Sequence, residues 1–443
     1  MTGSRFLRLG LAAVCLSVLL VLVSAVLFTR SDSATPQSLS RGPVAASEVS
    51  TSGDLSATIA SLQSRLQRLP TDSESWAALG AAYVQQARIT GDPSFYPKAA
   101  GVLARSLQES PTENAAALTG KAALAAARHD FQGAYRLTSK AMAINAFNSS
   151  TMAIRFDALI ELGRYDDALR ELKRYAGLKP GVPVYTRISY NYELHGNLEG
   201  ARYAMNRALD IAYSPDDRAF ALFELGELAW NAGRLRDAAS LYQQGWRADP
   251  SYVANLYGLA KTDAGLGQTD RAVRRYHEVI NRLPQPSYLI EFADLLTSLG
   301  RTTEAAAQQR LIDAQQRIFR AAGVNLDLEL ALYDASHGRP TRALSQARKA
   351  WQERKSIFVE DAYAWALHVN GRDRAALRHL DSAERLGTRS ALFAFHRGVV
   401  ERSLGRRGEA ISSLRKALSI NPAFNPIFAA QAQQALRAME RGQ

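Results

Sequence analysis

The sequence contains a single cysteine, Cys15, among 443 residues. One thiol can form neither an intramolecular disulfide nor a zinc site built from several thiolates. Histidine is also scarce, because the seven histidines are scattered and none stands in an HExxH pattern. The folded part of the chain must therefore be stabilised by packing.

Signatures of catalysis are missing as well. The sequence has no Gly-rich phosphate loop, no GxSxG elbow and no clustered carboxylate signature. It therefore predicts no catalytic residue, no metal site and no cofactor, and the protein is predicted not to be an enzyme.

One long segment lacks charged residues and is strongly apolar, namely 9–28. At 1.5 Å of rise per residue, a helix of this length crosses a hydrocarbon core of about 30 Å. Arg5 and Arg8 precede the run and favour a cytoplasmic N-terminus, with the rest of the chain exported. We therefore expect 1–30 to be a signal anchor in the cytoplasmic membrane, with the bulk of the chain extracytoplasmic. The alternative is a signal peptide cleaved near Ala25, which releases the protein.

The next segment, 31–54, is rich in Ser, Thr, Ala, Pro and Gly and has no apolar periodicity. This composition is typical of a flexible linker. It would hold the remainder of the chain a short distance from the membrane.

From here onward alanine recurs at intervals of 33 to 38 residues. A second recurring position, in the segment before each alanine, is occupied by a small residue, and Phe156 is the one exception. We call these two positions the alanine slot and the small-residue slot. Each interval holds two amphipathic segments separated by a turn, which predicts a helical hairpin that must stack on its neighbours. The alanines are Ala99, Ala134, Ala168, Ala201, Ala238, Ala272, Ala305, Ala343, Ala376 and Ala410. Glycines in the turns are Gly163, Gly196, Gly233, Gly267, Gly300, Gly338, Gly371 and Gly405.

The first hairpin carries the motif residues Trp76, Leu79, Gly80, Tyr83, Tyr96, Ala99 and Pro111. This pattern resembles the tetratricopeptide repeat, and the resemblance covers about ten repeats over 73–424. It implies an all-α, right-handed solenoid whose concave face is built from the first helix of each repeat. Segments 55–72 and 425–443 are interpreted as helices that cap the two ends.

Two departures from the repeat pattern stand out. His129 occupies the position of the turn glycine in the second repeat, and the second helix of the seventh repeat is lengthened to 303–322. A longer helix is expected to change the pitch of the array at that point.

The predicted inner face differs in charge from the chain as a whole. The net charge is +12, yet the repeat register places many carboxylates inside, Glu193 among them. Nucleic acid is not expected as a partner of an exported protein. We predict an acidic, aromatic groove that binds a protein or peptide with basic and apolar side chains. Its residues are Tyr190, Phe223, Glu224, Glu227, Trp230, Tyr257, Glu291, Asp294 and Trp365. The alternative for each aromatic residue is packing between neighbouring first helices.

The leading hypothesis is a non-enzymatic, membrane-tethered scaffold. A second hypothesis is a component of an export or secretion system that binds envelope polysaccharide, with Trp230, Tyr257 and Trp365 stacking on sugar rings. A third is a hydrolase built on the groove carboxylates. His368 and His396 also fall on neighbouring first helices, where ordinary packing competes with a metal or proton-sensing role.

Overall fold

The computed structural model describes residues 52–178 and 180–441. The predicted membrane segment, 9–28, lies outside these residues. Among the helices that are described, none is both long enough and apolar enough to span a bilayer.

The described chain is entirely α-helical, with 22 helices and no strand. A single helix stands at each end, α1 (Ser52–Arg68) and α22 (Phe428–Glu440), and ten hairpins lie between them. The first five hairpins are α2 (Ser73–Thr90) with α3 (Phe95–Glu109), α4 (Ala115–Ala127) with α5 (Phe131–Ile144), α6 (Ser149–Glu161) with α7 (Tyr165–Leu178), α8 (Val182–Leu194) with α9 (Leu198–Asp210), and α10 (Pro215–Asn231) with α11 (Leu235–Ala248). The last five are α12 (Val253–Gly265) with α13 (Thr269–Arg282), α14 (Pro286–Ser298) with α15 (Thr302–Ala321), α16 (Asp327–Ser336) with α17 (Pro340–Glu353), α18 (Ile357–His368) with α19 (Asp373–Ala383), and α20 (Ala391–Ser403) with α21 (Arg407–Ile420).

This element order confirms the predicted α-solenoid of helical hairpins. The alanine slot is buried in all ten repeats, because the second helix presses there against its partner. The small-residue slot has the same cause: a Cβ added to Gly226 would lie 2.3 Å from the Tyr242 ring. The eight turn glycines adopt φ between +72° and +77°, a conformation that glycine reaches without steric cost.

The described chain forms two compact units. The N-terminal unit consists of the described residues of 52–188 together with Ile318–Asn325, and the C-terminal unit consists of Ser189–Arg317 together with 326–441. The boundaries predicted for the anchor, linker, caps and repeat array stay predictions.

His129 has a defined role within the N-terminal unit. It takes the left-handed φ of +61° that glycine takes in the other turns. Its Nδ1 lies 2.8 Å from the carbonyl oxygen of Asn325, and the Asn325 amide donates to the carbonyl oxygen of Arg128 at 2.9 Å. The second repeat therefore uses this turn to hold the segment that follows the lengthened helix α15.

Within the C-terminal unit, late segments of the chain rest on the turns of earlier repeats. The Thr388 hydroxyl donates to the carbonyl oxygen of Leu194. The Asn421 amide donates to the carbonyl oxygen of Trp230 at 2.7 Å. These contacts bring the segments before α20 and after α21 against the C-terminal ends of α8 and α10.

Candidate functional site

The nine predicted groove residues divide by exposure. Phe223, Tyr257 and Asp294 expose none of their surface. Three others are also buried, namely Tyr190, Glu227 and Trp365. Glu224, Trp230 and Glu291 stay partly exposed. The binding role of all nine stays a prediction.

The buried aromatic residues pack between neighbouring repeats. Tyr257 stacks on Tyr288 with ring centroids 4.3 Å apart, and the ring centroid of Phe223 lies 6.1 Å from that of Tyr252 in the next repeat. Trp365 stacks on His396 at 4.2 Å. These rings therefore pack between neighbouring repeats, which is the alternative to a binding role.

Several buried carboxylates on first helices contact a basic side chain of the following repeat. These contacts join repeats three and four, five and six, seven and eight, and nine and ten. They are Asp157 with Arg187 at 2.6 Å, Glu227 with Lys261 at 2.6 Å, Asp294 with His337 at 3.5 Å, and Asp361 with His396 at 2.9 Å. A buried charge is tolerated when it has such a partner.

The Lys261 ammonium occupies a complete cage. It donates to both carboxylate oxygens of Glu227, at 2.6 and 2.7 Å. It also lies 5.0 Å from the ring centroid of Trp230 and 5.2 Å from that of Tyr257, within the range of cation–π attraction. A carboxylate and aromatic rings thus surround a cation of the chain itself on this face.

Glu193 at the end of α8 differs from these carboxylates. It accepts one hydrogen bond, from the Asn231 amide at 2.9 Å, and forms no ion pair with the described residues. Burial raises the pKa of Glu193 to about 7, and the charge of Glu227 also raises it against the lowering effect of the Asn231 bond.

Other carboxylates of the predicted groove are also perturbed. Burial raises the pKa of Glu224 well above its usual range, and the charges of Glu227 and Glu193 raise it further. Burial raises the pKa of Glu291 to about 7, although Lys261 acts in the opposite direction. Burial raises the pKa of Asp294 to about 6 against the influence of His337. The interior of the C-terminal unit thus holds more carboxylates than cations.

Glu193 lines a cavity of about 90 Å³ that opens to solvent. We call this cavity the Glu193 pocket. Its lining comprises Tyr190, Glu193, Leu194, Trp230, Asn231, Phe358, Thr388, Arg389, Ser390, Ala391, Leu392, Asn421 and Phe424. Tyr190 and Trp230 are the two residues of the predicted groove that line it.

Sequence reasoning did not find the opposite wall of the pocket. Phe358 on α18 and Phe424 after α21 lie far along the chain from α8 and α10. No local pattern signals their approach, since it depends on how successive repeats are rotated.

Each of the two histidines considered for a metal or proton-sensing pair contacts a different carboxylate. His396 contacts Asp361, and His368 Nδ1 lies 2.5 Å from Asp373. Across the described residues, no group of three His, Cys, Asp or Glu side chains has an arrangement that could hold a metal ion.

Comparison with known proteins places the repeats in the sequence. Two family models, both described as Tetratricopeptide repeat, match residues 229–299 and 393–424. No curated protein matches the chain. The two matches lie within the array that the residue pattern predicts.

Among solved structures, MamA is 20% identical and aligns with 36% of this chain and 93% of its own, with a TM-score of 0.28. A tetratricopeptide repeat protein from Parabacteroides merdae is 16% identical over 58% of this chain and 98% of its own, with a TM-score of 0.33. The IFIT1 monomeric mutant with Gppp-AAAA is 13% identical over 75% of this chain and 77% of its own, with a TM-score of 0.47. At such identities the likeness concerns the fold alone. The chain thus contains tetratricopeptide repeats, at 229–299 and 393–424.

Proposed function

We propose that the protein is a non-enzymatic scaffold, tethered to the cytoplasmic membrane by 9–28, whose C-terminal unit binds a protein or peptide outside the cytoplasm. Tetratricopeptide repeats are interaction modules, and proteins built from them are generally scaffolds rather than enzymes. The tether and its orientation rest on the apolar run and the basic residues before it.

One observation carries the proposal: the Glu193 pocket is an open cavity in which a carboxylate without an ion pair lies among aromatic rings. Tyr190, Trp230 and Phe424 supply apolar surface for a partner's side chains. Glu193 supplies a hydrogen-bond acceptor that is negatively charged once it is deprotonated. This combination favours a partner that carries basic and apolar residues and disfavours a polyanion.

The competing hypotheses receive less support. Stacking on sugar rings would need exposed ring faces, and both Tyr257 and Trp365 are buried. A hydrolase would need free carboxylates, whereas Glu227 is held by Lys261 and Asp294 contacts His337. We therefore propose neither.

Photo-crosslinking in cells tests the binding surface. A photoreactive residue at Trp230, beside the pocket, is expected to capture a discrete partner. The matched control is the same residue at Tyr203 on α9, whose side chain is 69% exposed and does not line the pocket. Equal capture from both positions, or none from Trp230, would contradict the proposed surface.

Cell fractionation tests the tether. The full chain is expected in the membrane fraction, and a chain lacking 1–30 is expected in the soluble fraction. Protease added to intact spheroplasts should degrade the full chain if the repeats lie outside the cytoplasm. Protection of the full chain would contradict the proposed orientation.

A further inference from the structure

We propose that the Glu193 pocket receives one arginine side chain of the partner, which completes the ion pair that Glu193 lacks. This inference rests on the proposed function, since it names the group by which the partner is held. It follows from the cavity, from the surroundings of Glu193 and from a comparison with the other carboxylates of the array.

The carboxylates of the array differ in whether a basic side chain contacts them. Asp157, Glu227 and Asp361 each contact a basic side chain of the next repeat. Glu193 instead meets the neutral amide of Asn231 in the next repeat. The chain therefore supplies a hydrogen bond at this position but no positive charge.

The pocket also offers what a guanidinium group binds. A guanidinium is planar, stacks on aromatic faces and donates several hydrogen bonds to a carboxylate. Tyr190, Trp230 and Phe358 line the cavity around Glu193. The neighbouring Lys261 cage shares the Trp230 ring and shows the same chemistry with a cation of the chain itself.

The charged groups near Glu193 come from three other elements. On α10, Glu227 forms an ion pair with Lys261 of α12, and burial raises the pKa of Glu224 well above its usual range. In the segment before α20, Arg389 is exposed, lines the pocket and forms no ion pair with Glu193. Arg389 is thus the residue of the chain that a partner's arginine must compete with.

Capture of a cation has a pH signature. The pKa of Glu193 is about 7, so both the protonated and the charged form are present near neutral pH. A guanidinium favours the charged carboxylate and lowers this pKa, so that binding releases the proton. Affinity is then expected to rise with pH through 7 and to fall about tenfold per pH unit below it.

The experiment uses the purified full chain and the peptide acetyl-Gly-Arg-Gly-amide. Calorimetry at pH 7 in two buffers with different ionisation enthalpies is expected to show binding with release of a fraction of a proton. Glu193→Gln keeps the shape of the side chain and should weaken binding at least tenfold and abolish the pH dependence. Glu199→Gln, at an exposed position of α9, is the matched control and should bind as the wild type does.

Three outcomes would overturn the inference. Equal binding of the citrulline peptide, a neutral analogue, would show that charge is not recognised. Tighter binding of the lysine peptide would exclude selection of a guanidinium. Binding of the arginine peptide only after Arg389→Ala would make Arg389 the natural occupant.

The inference and the proposed function can fail separately. If Trp230 captures a partner in cells and Glu193→Gln leaves that capture unchanged, the scaffold function stands and the arginine pocket does not. If the peptide binds in vitro and Trp230 captures nothing in cells, the pocket stands and the scaffold function does not.

Discussion

The Lys261 ammonium lies 2.6 and 2.7 Å from the two carboxylate oxygens of Glu227 on the preceding repeat, and both side chains are nearly inaccessible to solvent. The Tyr242 hydroxyl donates to the same carboxylate at 2.6 Å. This contact joins the fifth and sixth repeats by charge as well as by packing.

Removal of the Lys261 ammonium is expected to lower the free energy of unfolding. Lys261→Met should destabilise the C-terminal unit by about 3–5 kcal/mol, because it leaves Glu227 charged, buried and close to Glu224. Denaturant unfolding followed by circular dichroism measures the change. The double variant Lys261→Met with Glu227→Gln should recover part of the loss, and a double variant as unstable as the single one would contradict this account.

A larger side chain in the small-residue slot is predicted to destabilise the protein. Gly226→Ala places a Cβ 2.3 Å from the Tyr242 ring and should cost about 1–3 kcal/mol in unfolding free energy. Gly408→Ala is the control, since no atom lies within 4 Å of the added Cβ. Its melting temperature should equal or slightly exceed that of the wild type. Equal melting temperatures for the two variants would show that the slot tolerates side chains.

The turn at His129 predicts a difference between two substitutions. His129→Ala keeps the positive φ that disfavours a Cβ and loses the contact with Asn325, so we expect a loss of about 1–3 kcal/mol. His129→Gly loses the same contact but removes the backbone strain. It should therefore be the more stable of the two by about 1 kcal/mol, as measured by thermal unfolding. The reverse order would show that the turn is not strained.

The raised pKa of Glu291 predicts how stability depends on pH. Glu291 has a pKa of about 7 in the folded chain, against an ordinary value of 4.5. Between these values the folded state binds a proton that the unfolded state has released, so stability falls as pH rises from about 4.5 to about 7. We expect a contribution of about 1–3 kcal/mol over this interval.

Urea unfolding at pH 5 and pH 7.5 measures this contribution. The difference in unfolding free energy between the two conditions should shrink in Glu291→Gln, which cannot titrate. Glu304→Gln, on the surface of α15, should leave the difference nearly unchanged. An unaltered difference in Glu291→Gln would exclude Glu291 as a source of the pH dependence.

The sequence determined the hairpins because their causes are local. Each alanine slot, such as Ala238, is set by contact between two helices that follow one another in the chain. Each turn glycine, such as Gly233, is set by a single backbone conformation. Periodicity over about 34 residues is therefore sufficient to place the helices.

The environment of the inner face could not be predicted in the same way. Phe223 and Tyr257 lie on the predicted face, but their burial depends on the rings of neighbouring repeats and on how closely those repeats approach. The Glu193 pocket depends on contacts between residues separated by more than 190 positions, such as Thr388 with Leu194. Such contacts depend on small rotations that accumulate over several successive repeats, so the sequence of one repeat does not determine them.

The turn glycines of the C-terminal unit have one more consequence. A Cβ at Gly196 would lie 2.4 Å from the carbonyl oxygen of Gly387, and one at Gly233 would lie 2.6 Å from that of Ile420. Modules in most repeat arrays can be gained or lost because each touches only its neighbours. Here the fourth and fifth modules also touch the ninth and tenth, so the number of modules between them is fixed. Duplication or deletion of one module in this part of the protein would therefore disrupt both distant contacts.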